Sequence, residues 1–593
     1  MKRYCILFVF ALAACQSDQT GPRPTLASKA TLAAANDDGP PSAFPFRPDT
    51  YRTGVFTGAG RHQLDCVATG NGGRQCDGFL RSDVDKTLLD VRLQIPPGAG
   101  PFPLVALIHG YAGSKTSSSD IADRLLGDGY AILRYSARGF GESWGQVNLA
   151  DLHAEIGDLH SMIGQVVDQK DFNLNPDAVA VTGASYGGGH SWLALVDPVF
   201  ETPKKNTVHI RAVMPIAPWT DLLYSLLPNG RPNNSIDGLG GLKTSFVNGL
   251  YASGIRTKPD RPYPNYPDYF ITWHAYINAT EPNSLDPVWQ QVVAGLAGGR
   301  SIWWQQSFWS NVAQNRIPVF QVQGFTDDLF PLPEAKRMLL ALESVVPDYP
   351  ITSYFGDLGH PRARNQPAEE DYVLGLIETW LAFYLKGEGS APTPRIYISR
   401  TDEQFNSADV VAVNSWGEMN TGTVSHEWTG SPVPLVNPVT FVGSGLRWDP
   451  FADYSGEPLN PYLATPPASD VVGGDVFEYR FTPEGALTIA GQPIVNLDAI
   501  VAGHRVQLDV RLFDDDGSSR RLITRGTVTL DAGTGVDVGA RTIEIPTYGN
   551  FWNVPSGHSI LLEITNVDSP YITPSREASS TLINKVSLTI PTR

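Results

Sequence analysis

Three residue types, widely separated along the chain, point to acyl-transfer chemistry. Ser185 stands in VTGASYGGGH, residues 181–190, where Gly183-Ala184-Ser185-Tyr186-Gly187 matches G-x-S-x-G. The apolar run Val179-Ala180-Val181 before it and a helical stretch after it are what a nucleophile elbow requires. Three glycines in a row cost conformational entropy on folding. That cost is intelligible where the chain must turn sharply and push a serine clear of its own backbone. A helix starting at that point also presents positive potential to a developing oxyanion. The serine hydroxyl itself is a weak nucleophile at neutral pH, so it needs a base, and the base needs a carboxylate to orient it.

On this kind of scaffold the order is serine, then acid, then histidine, the last two on loops after later strands. Pro318 to Gln323 reads as a strand and runs into GFTDDLFP, which offers Asp327 and Asp328. The next strand, ITSYF, runs into GDLGHPR, which offers His360. A turn histidine and a helix-capping aspartate are the competing readings of His360 and Asp327 taken singly. Correct order, each at a strand end, favours a triad. An oxyanion hole needs two donors, and the main-chain N–H of Tyr186 is the first. The second belongs after an early strand, where LIHGYAG supplies Tyr111 through its N–H or its phenol. His109 falls in the wrong order for the base and reads as structural. His153 and His160 lie seven apart without a zinc-binding signature and read as solvated helix surface.

The elements that must position these residues alternate. Leu88–Ile95, Pro103–Ile108, Tyr130–Tyr135, Ala178–Thr182, Arg211–Ile216, Pro318–Gln323 and Ile351–Phe355 read as strands. Helical spacing marks Asp120–Asp128, Ala154–Asp168, the stretch after Ser185, and Glu369–Leu385. Such alternation predicts a mostly parallel sheet covered by helices on both faces over residues 46–388. Residues 222 to about 312 break the rhythm with many prolines and no clean strand, and read as an inserted lid rather than a loop. In it SIWWQQSFWS places Trp303, Trp304, Phe308 and Trp309 either around an apolar substrate group or in the lid's own core. After KGEGSAPTP the texture changes to strict alternation, as in Val506, Leu508, Val510 and Leu512 with Gln507, Asp509 and Arg511 between. Residues 389–593 therefore read as an all-β sandwich, with the DDDGSS segment as a hairpin turn rather than a calcium loop.

Bulk properties bound the function. A chain of 593 residues exceeds one ordinary core, and its formal net charge of -17 argues against nucleic acid as a partner. The opening MKRYCILFVFALAAC has a basic start, a short apolar stretch and small residues before Cys15. Leu12-Ala13-Ala14-Cys15 resembles the bacterial lipoprotein box, with a plain secretory signal as the alternative. Residues 1–15 are thus expected to be a lipoprotein signal, Cys15 the lipidation site, and 16–45 a flexible linker. Such a chain is expected to be exported and held at the membrane by its lipid anchor alone. Cys66 and Cys76 flank the turn-rich VATGNGGRQ and are expected to pair as a disulfide, with free thiols as the alternative. The residues beside them, His62 and Asp65, are too few for a metal site.

GASYGG at 183–188, APWTD at 217–221, GFTDDLFP, GDLGHP and a trailing β-sandwich ending in NFWNVPSGHSILLEITNVDSPYI together resemble the X-prolyl dipeptidyl-peptidase and cocaine esterase-like (CocE/NonD) hydrolases. The resemblance covers about residues 50–593. It implies an α/β-hydrolase fold with a helical cap and a C-terminal jelly roll packed near the active site. It also implies Ser185 as nucleophile, His360 as base, and Asp327 rather than Asp328 as the acid. One departure is Ser136 in RYSARGFGES, where many α/β-hydrolases carry an aspartate. The expected activity is ester or amide hydrolysis through an acyl-enzyme, needing no metal or organic cofactor, on a small-molecule or short peptide substrate. X-prolyl dipeptidyl-peptidase activity is the close alternative. It needs a carboxylate for the substrate ammonium, for which Asp221, Asp237 and Asp268 are candidates. An inert surface lipoprotein binding sugar or peptide is the alternative of another class.

Overall fold

The computed structural model describes residues 56–593 except for 229–239, 256–260, 262, 280, 284, 394, 438, 440–462, 465–475 and 570. Expectations for residues 1–15, Cys15, the linker 16–45 and Asp237 lie outside the described residues. The first sheet is built from β1 (Leu64–Ala68), β2 (Arg74–Arg81), β3 (Leu88–Ile95), β4 (Phe102–Ile108), β5 (Ala131–Tyr135), β6 (Leu174–Ala184), β7 (Val199–Glu201), β8 (Thr207–Ile216), β9 (Val319–Gly324), β10 (Ile351–Gly356), β11 (Ile396–Ile398) and β12 (Val411–Val413). Its spatial order is β1-β2-β3-β5-β4-β6-β8-β9-β10-β11-β12, with β7 paired to β8. From β5 to β11 neighbours run parallel. The antiparallel hairpins at either edge, β1-β2 and β11-β12, close the sheet off.

The central strands are mostly apolar, β4, β5, β9 and β10 being buried nearly end to end, because helices cover both faces. Those helices are α1 (Ser119–Gly127), α2 (Glu155–Val167) and α3 (Tyr186–Leu193), then the cap helices α4 (Leu222–Leu226), α5 (Thr244–Gly254), α6 (Asp268–Ala279), α7 (Pro287–Val293) and α8 (Gln306–Asn315), then α9 (Pro333–Val345) and α10 (Pro367–Leu381). Between β8 and β9 the described residues are helix or irregular chain, as a cap requires. Among the described residues no helix is long and apolar enough to cross a membrane.

The expected boundary at 388/389 falls inside this sheet. β11 pairs parallel with β10 and β12 antiparallel with β11, so the first domain extends to Val413. Three-residue strands have no periodicity to read. Beyond them lies the sandwich. Its seven-stranded sheet is centred on Ser579–Thr592, and its five-stranded sheet holds Arg505–Asp515, Arg520–Asp531 and Ser559–Thr565 side by side. The expected hairpin forms over residues 516–519, where the Asp516 carboxylate accepts from the N–H groups of Ser518 and Ser519. Apolar and polar residues alternate along Arg505–Asp515. In the structure both faces are buried, because the side bearing Gln507, Asp509 and Arg511 lies against other protein rather than water.

Candidate active site

β6 ends at Ala184 and α3 begins at Tyr186, leaving Ser185 to make the turn alone at φ 56°, ψ −112°. A non-glycine residue keeps such a backbone only where its surroundings over-determine it. Two bonds do so: the Ser185 N–H donates to the Ile216 carbonyl at 2.9 Å, and the Ser185 carbonyl accepts from Gly189 N–H at 2.9 Å. The glycines answer to close approach. A Cβ on Gly183 would stand 2.3 Å from the Ile108 carbonyl oxygen, and one on Gly187 only 2.1 Å from it. Bare backbone lets α3 seat itself on the end of β4 and lift Ser185 above the sheet. Ser185 is half-buried.

Folding brings the three sequence candidates into one chain of hydrogen bonds. Ser185 Oγ lies 2.7 Å from His360 Nε2, and His360 Nδ1 lies 2.8 Å from Asp327 Oδ2. Asp327 is 0 % exposed, whereas the His360 side chain keeps 14 % of its surface. The Asp327 carboxylate is saturated with donors: Oδ2 also accepts from His360 N–H at 3.2 Å, and Oδ1 accepts from the N–H groups of Leu329 (3.0 Å) and Phe330 (2.9 Å). A carboxylate fixed by main-chain donors cannot swing, so it holds the imidazole with Nδ1–H toward itself and a bare Nε2 toward Ser185. The Phe330 ring meets His360 edge to face at 4.9 Å and packs on Trp219 at 5.3 Å, forming an apolar flank for the base.

Tyr186 is the first residue of α3, so its N–H has no intrahelical carbonyl to meet and stands beside Ser185. Its ring is anchored below, where the hydroxyl accepts from Ala150 N–H at 3.1 Å. The Tyr111 ring packs on Tyr186 (5.5 Å) and Phe140 (4.9 Å), and the neighbouring Gly110 backs onto Ala184 and Ser185. Its phenol is turned toward the cap, 2.7 Å from the Tyr266 hydroxyl. Because Tyr266 donates its own proton to the Tyr251 carbonyl at 2.8 Å, Tyr111 is the donor to Tyr266. That leaves the main-chain N–H of Tyr111 as its group for an oxyanion.

The remaining candidates divide. His109 is structural, as expected: its Nε2 accepts from Ala137 N–H at 2.9 Å, its Nδ1–H points to the Gly110 carbonyl, and burial lowers its pKa to about 4. His153 is exposed and precedes α2. His160 departs from the expected solvated surface, because its ring stacks on Phe200 at 4.4 Å and burial lowers its pKa to about 4. Trp303, Trp304, Phe308 and Trp309 are all buried, as core residues are, and the Trp309 ring packs on those of Trp303 and Phe308. Asp221 is engaged: Oδ1 caps α4 through the N–H groups of Leu223 and Tyr224, and Oδ2 accepts from Trp304 Nε1 at 3.0 Å. Asp268 is exposed in the first turn of α6. Cys66 and Cys76 face one another across the β1-β2 hairpin and are bonded. Ser136 Oγ approaches Asp90 at 3.3 Å, away from the triad. Among the described residues no group of three or more His, Cys, Asp or Glu side chains could hold a metal ion.

Sequence reasoning missed Phe330, and it missed Lys243, a fully buried lysine whose ammonium donates to the carbonyls of Asp328 (2.7 Å) and Leu329 (2.6 Å). Burial lowers its pKa to about 7. Its surroundings, GGLKTSF, carry no signal of that role.

Comparison with known proteins gives similar sequences and folds. Residues 85–352 match the model of the family described as X-Pro dipeptidyl-peptidase (S15 family). The solved structure of an α-amino acid ester hydrolase superimposes over 93% of this chain and 100% of its own, at TM-score 0.61 and 14% identity. A CocE/NonD family hydrolase from Staphylococcus aureus does so over 90% and 97%, at TM-score 0.56 and 12% identity. At such identities the likeness is one of fold. The quorum-quenching protein AidA of Acinetobacter baumannii (strain MDR-ZJ06) is 30% identical over 121 residues, 20% of this chain and 36% of that protein. The chain spans about a third of the length of the curated relatives it matches. Residues 85–352 are thus similar to the X-Pro dipeptidyl-peptidase S15 family, and the chain shares the fold of these hydrolases, a mostly parallel α/β sheet that leads into a C-terminal β-sandwich.

Proposed function

We propose that the chain is a serine hydrolase that cleaves ester or amide bonds through an acyl-enzyme. The observation that carries this reading is the unbroken Asp327–His360–Ser185 chain, at 2.8 and 2.7 Å, ending on a strained elbow at a helix N-terminus. His360 Nε2 takes the Ser185 proton as Oγ attacks the substrate carbonyl, and the oxyanion settles on the N–H groups of Tyr186 and Tyr111. Collapse breaks the bond to the leaving group, which leaves with the proton now on His360. Water then repeats the sequence on the acyl-enzyme, giving up its proton to His360, and frees the acid and Ser185. Asp327 stays ionised throughout and stabilises the imidazolium.

An uncharged acyl group fits this site better than an N-terminal Xaa-Pro dipeptide. A free substrate ammonium needs a buried carboxylate with an open lone pair. Asp221 accepts from two main-chain N–H groups and an indole, and Asp268 faces solvent. The family description favours the dipeptidyl-peptidase alternative. Of these candidates only Asp237, outside the described residues, is left to serve it. An assembled triad speaks against an inert sugar- or peptide-binding role. The Leu12-Ala13-Ala14-Cys15 box and the Cys66–Cys76 disulfide support export as a lipoprotein anchored through Cys15.

Side-by-side turnover of p-nitrophenyl butyrate and Ala-Pro-p-nitroanilide tests the reading. Hydrolysis of the ester in preference, lost in Ser185→Ala, is the expected result. Preferential cleavage of the anilide makes the chain a dipeptidyl-peptidase, and cleavage of neither by a folded protein returns it to the binding class.

A further inference from the structure

The second aspartate of GFTDDLFP is not a spare acid. Asp328 is fully buried and is held from three separate parts of the molecule. From the loop carrying the base, Arg362, two residues after His360, donates Nε–H to Asp328 Oδ1 at 3.0 Å. From the sandwich, the Arg525 guanidinium stands 3.6 Å from Asp328 Oδ2, and Tyr571 donates its hydroxyl to the Asp328 carbonyl at 2.8 Å. From the cap, Lys243 donates to that same carbonyl and to the next. These groups also hold one another. Arg525 lies over the Tyr571 ring at 4.1 Å and pairs with Asp568 at 3.4 Å, while Tyr571 meets the Tyr548 hydroxyl at 3.0 Å. Arg362 reaches the Ile523 carbonyl at 3.4 Å, on the same sandwich strand that bears Arg525.

We propose that the β-sandwich sets the triad, with Arg525 and Tyr571 as positioning residues that lock the acid loop through Asp328. The inference rests on the triad reading above and deepens it. Asp327 is held by N–H groups of its own loop, so the loop must be immobile for the carboxylate to be so. A loop bearing a buried anion is immobile only while that anion is paired. Arg362 joins the loops of acid and base, yet both could still move together relative to Ser185, which sits on a different strand. The sandwich strand Arg520–Asp531, reaching both loops, removes that freedom. Arg525 works by charge rather than by a fork of hydrogen bonds, since its guanidinium nitrogens lie 3.4 Å or more from the carboxylates and make no hydrogen bond. A lysine there keeps part of the effect.

Steady-state hydrolysis of p-nitrophenyl butyrate by the full chain and by Arg525→Met, Arg525→Lys and Tyr571→Phe, each with its melting curve, decides the matter. Displacing a catalytic group by about 1 Å costs about 100-fold in rate. Arg525→Met is therefore expected to lose about 100-fold in kcat with KM unchanged within about twofold, and Arg525→Lys to recover at least about tenfold of that. Tyr571→Phe, which deletes one oxygen, is expected to lose about tenfold in kcat with KM held, and it decides alone if Arg525→Met does not fold. Parental kcat in Tyr571→Phe or in folded Arg525→Met, with Ser185→Ala inactive, overturns the proposal and leaves the triad standing. Parental hydrolysis by Ser185→Ala overturns both.

Discussion

Replacing Asp327 by asparagine changes one atom and should nearly silence the enzyme, for a reason that can be worked from the hydrogen bonds. The carboxylate accepts from four donors, two at each oxygen: the N–H groups of Leu329 and Phe330 at Oδ1, and the N–H and Nδ1–H of His360 at Oδ2. An amide has one oxygen and one NH2 group. If the NH2 faces Leu329 and Phe330, two buried main-chain donors lose their acceptor, at about 1–3 kcal/mol each. If it faces His360, one weaker main-chain bond of 3.2 Å is lost, and the imidazole adapts by moving its proton to Nε2. The second arrangement is cheaper, and it is the one that disables the base. Nε2–H then points at Ser185 and cannot take its proton. A triad held in the wrong tautomer loses about 10⁴ in kcat, about 5 kcal/mol of barrier. Asp327→Asn should therefore turn over p-nitrophenyl butyrate about 10⁴-fold more slowly near neutral pH, with KM within a few-fold of the parent and a largely intact fold. A variant that melts like the parent and keeps kcat within about tenfold would refute the tautomer argument and the assignment of Asp327.

Two further outcomes follow from the same packing. Gly187→Ala would place a Cβ 2.1 Å from the Ile108 carbonyl oxygen. Backbone cannot yield as a side chain would, so α3 must shift; about 3 kcal/mol of stability and about 100-fold in kcat should be lost together, read by denaturant unfolding and ester turnover. Unchanged values would mean the helix has slack at the elbow. His190, on the buried face of that helix, is fully buried with Nδ1 bonded to the Tyr186 carbonyl, and burial lowers its pKa to about 4. The ordinary histidine pKa is about 6.5, so below it the unfolded chain takes up a proton that the folded chain refuses, and stability falls as pH drops from about 6.5 to 4. His190→Asn should shed up to about 3 kcal/mol of that loss, seen as a shallower dependence of unfolding free energy on pH. An identical slope in parent and variant would show that His190 is protonated inside the fold.

Much of the frame was legible because parallel strands buried on both faces are short apolar runs and the helices between them are amphipathic. Ser185, Asp327 and His360 were legible for a related reason: a fold that places functional groups at strand ends ties their order in the chain to their place in space. What escaped was set by contacts between distant segments. The polar side of Arg505–Asp515 looks like a wet face, since alternation records only that two faces differ, not what covers the second. His160 sits at a spacing that suits solvent, but Phe200 comes to cover it. Nothing near Lys243 distinguishes a buried ammonium from a surface one. The phenol of Tyr111 was open until Tyr266, 155 positions away, arrived to accept its proton.

A fluorophosphonate probe applied to the folded full-length chain, followed by mapping of the modified peptide, asks most directly whether Ser185 is an activated nucleophile. Attack by Oγ expels fluoride and leaves a stable phosphonate adduct. The adduct is expected on Ser185, and it should be absent from Ser185→Ala and strongly slowed in Asp327→Asn. A folded parent that stays unmodified, or carries the adduct on another serine, would contradict the account.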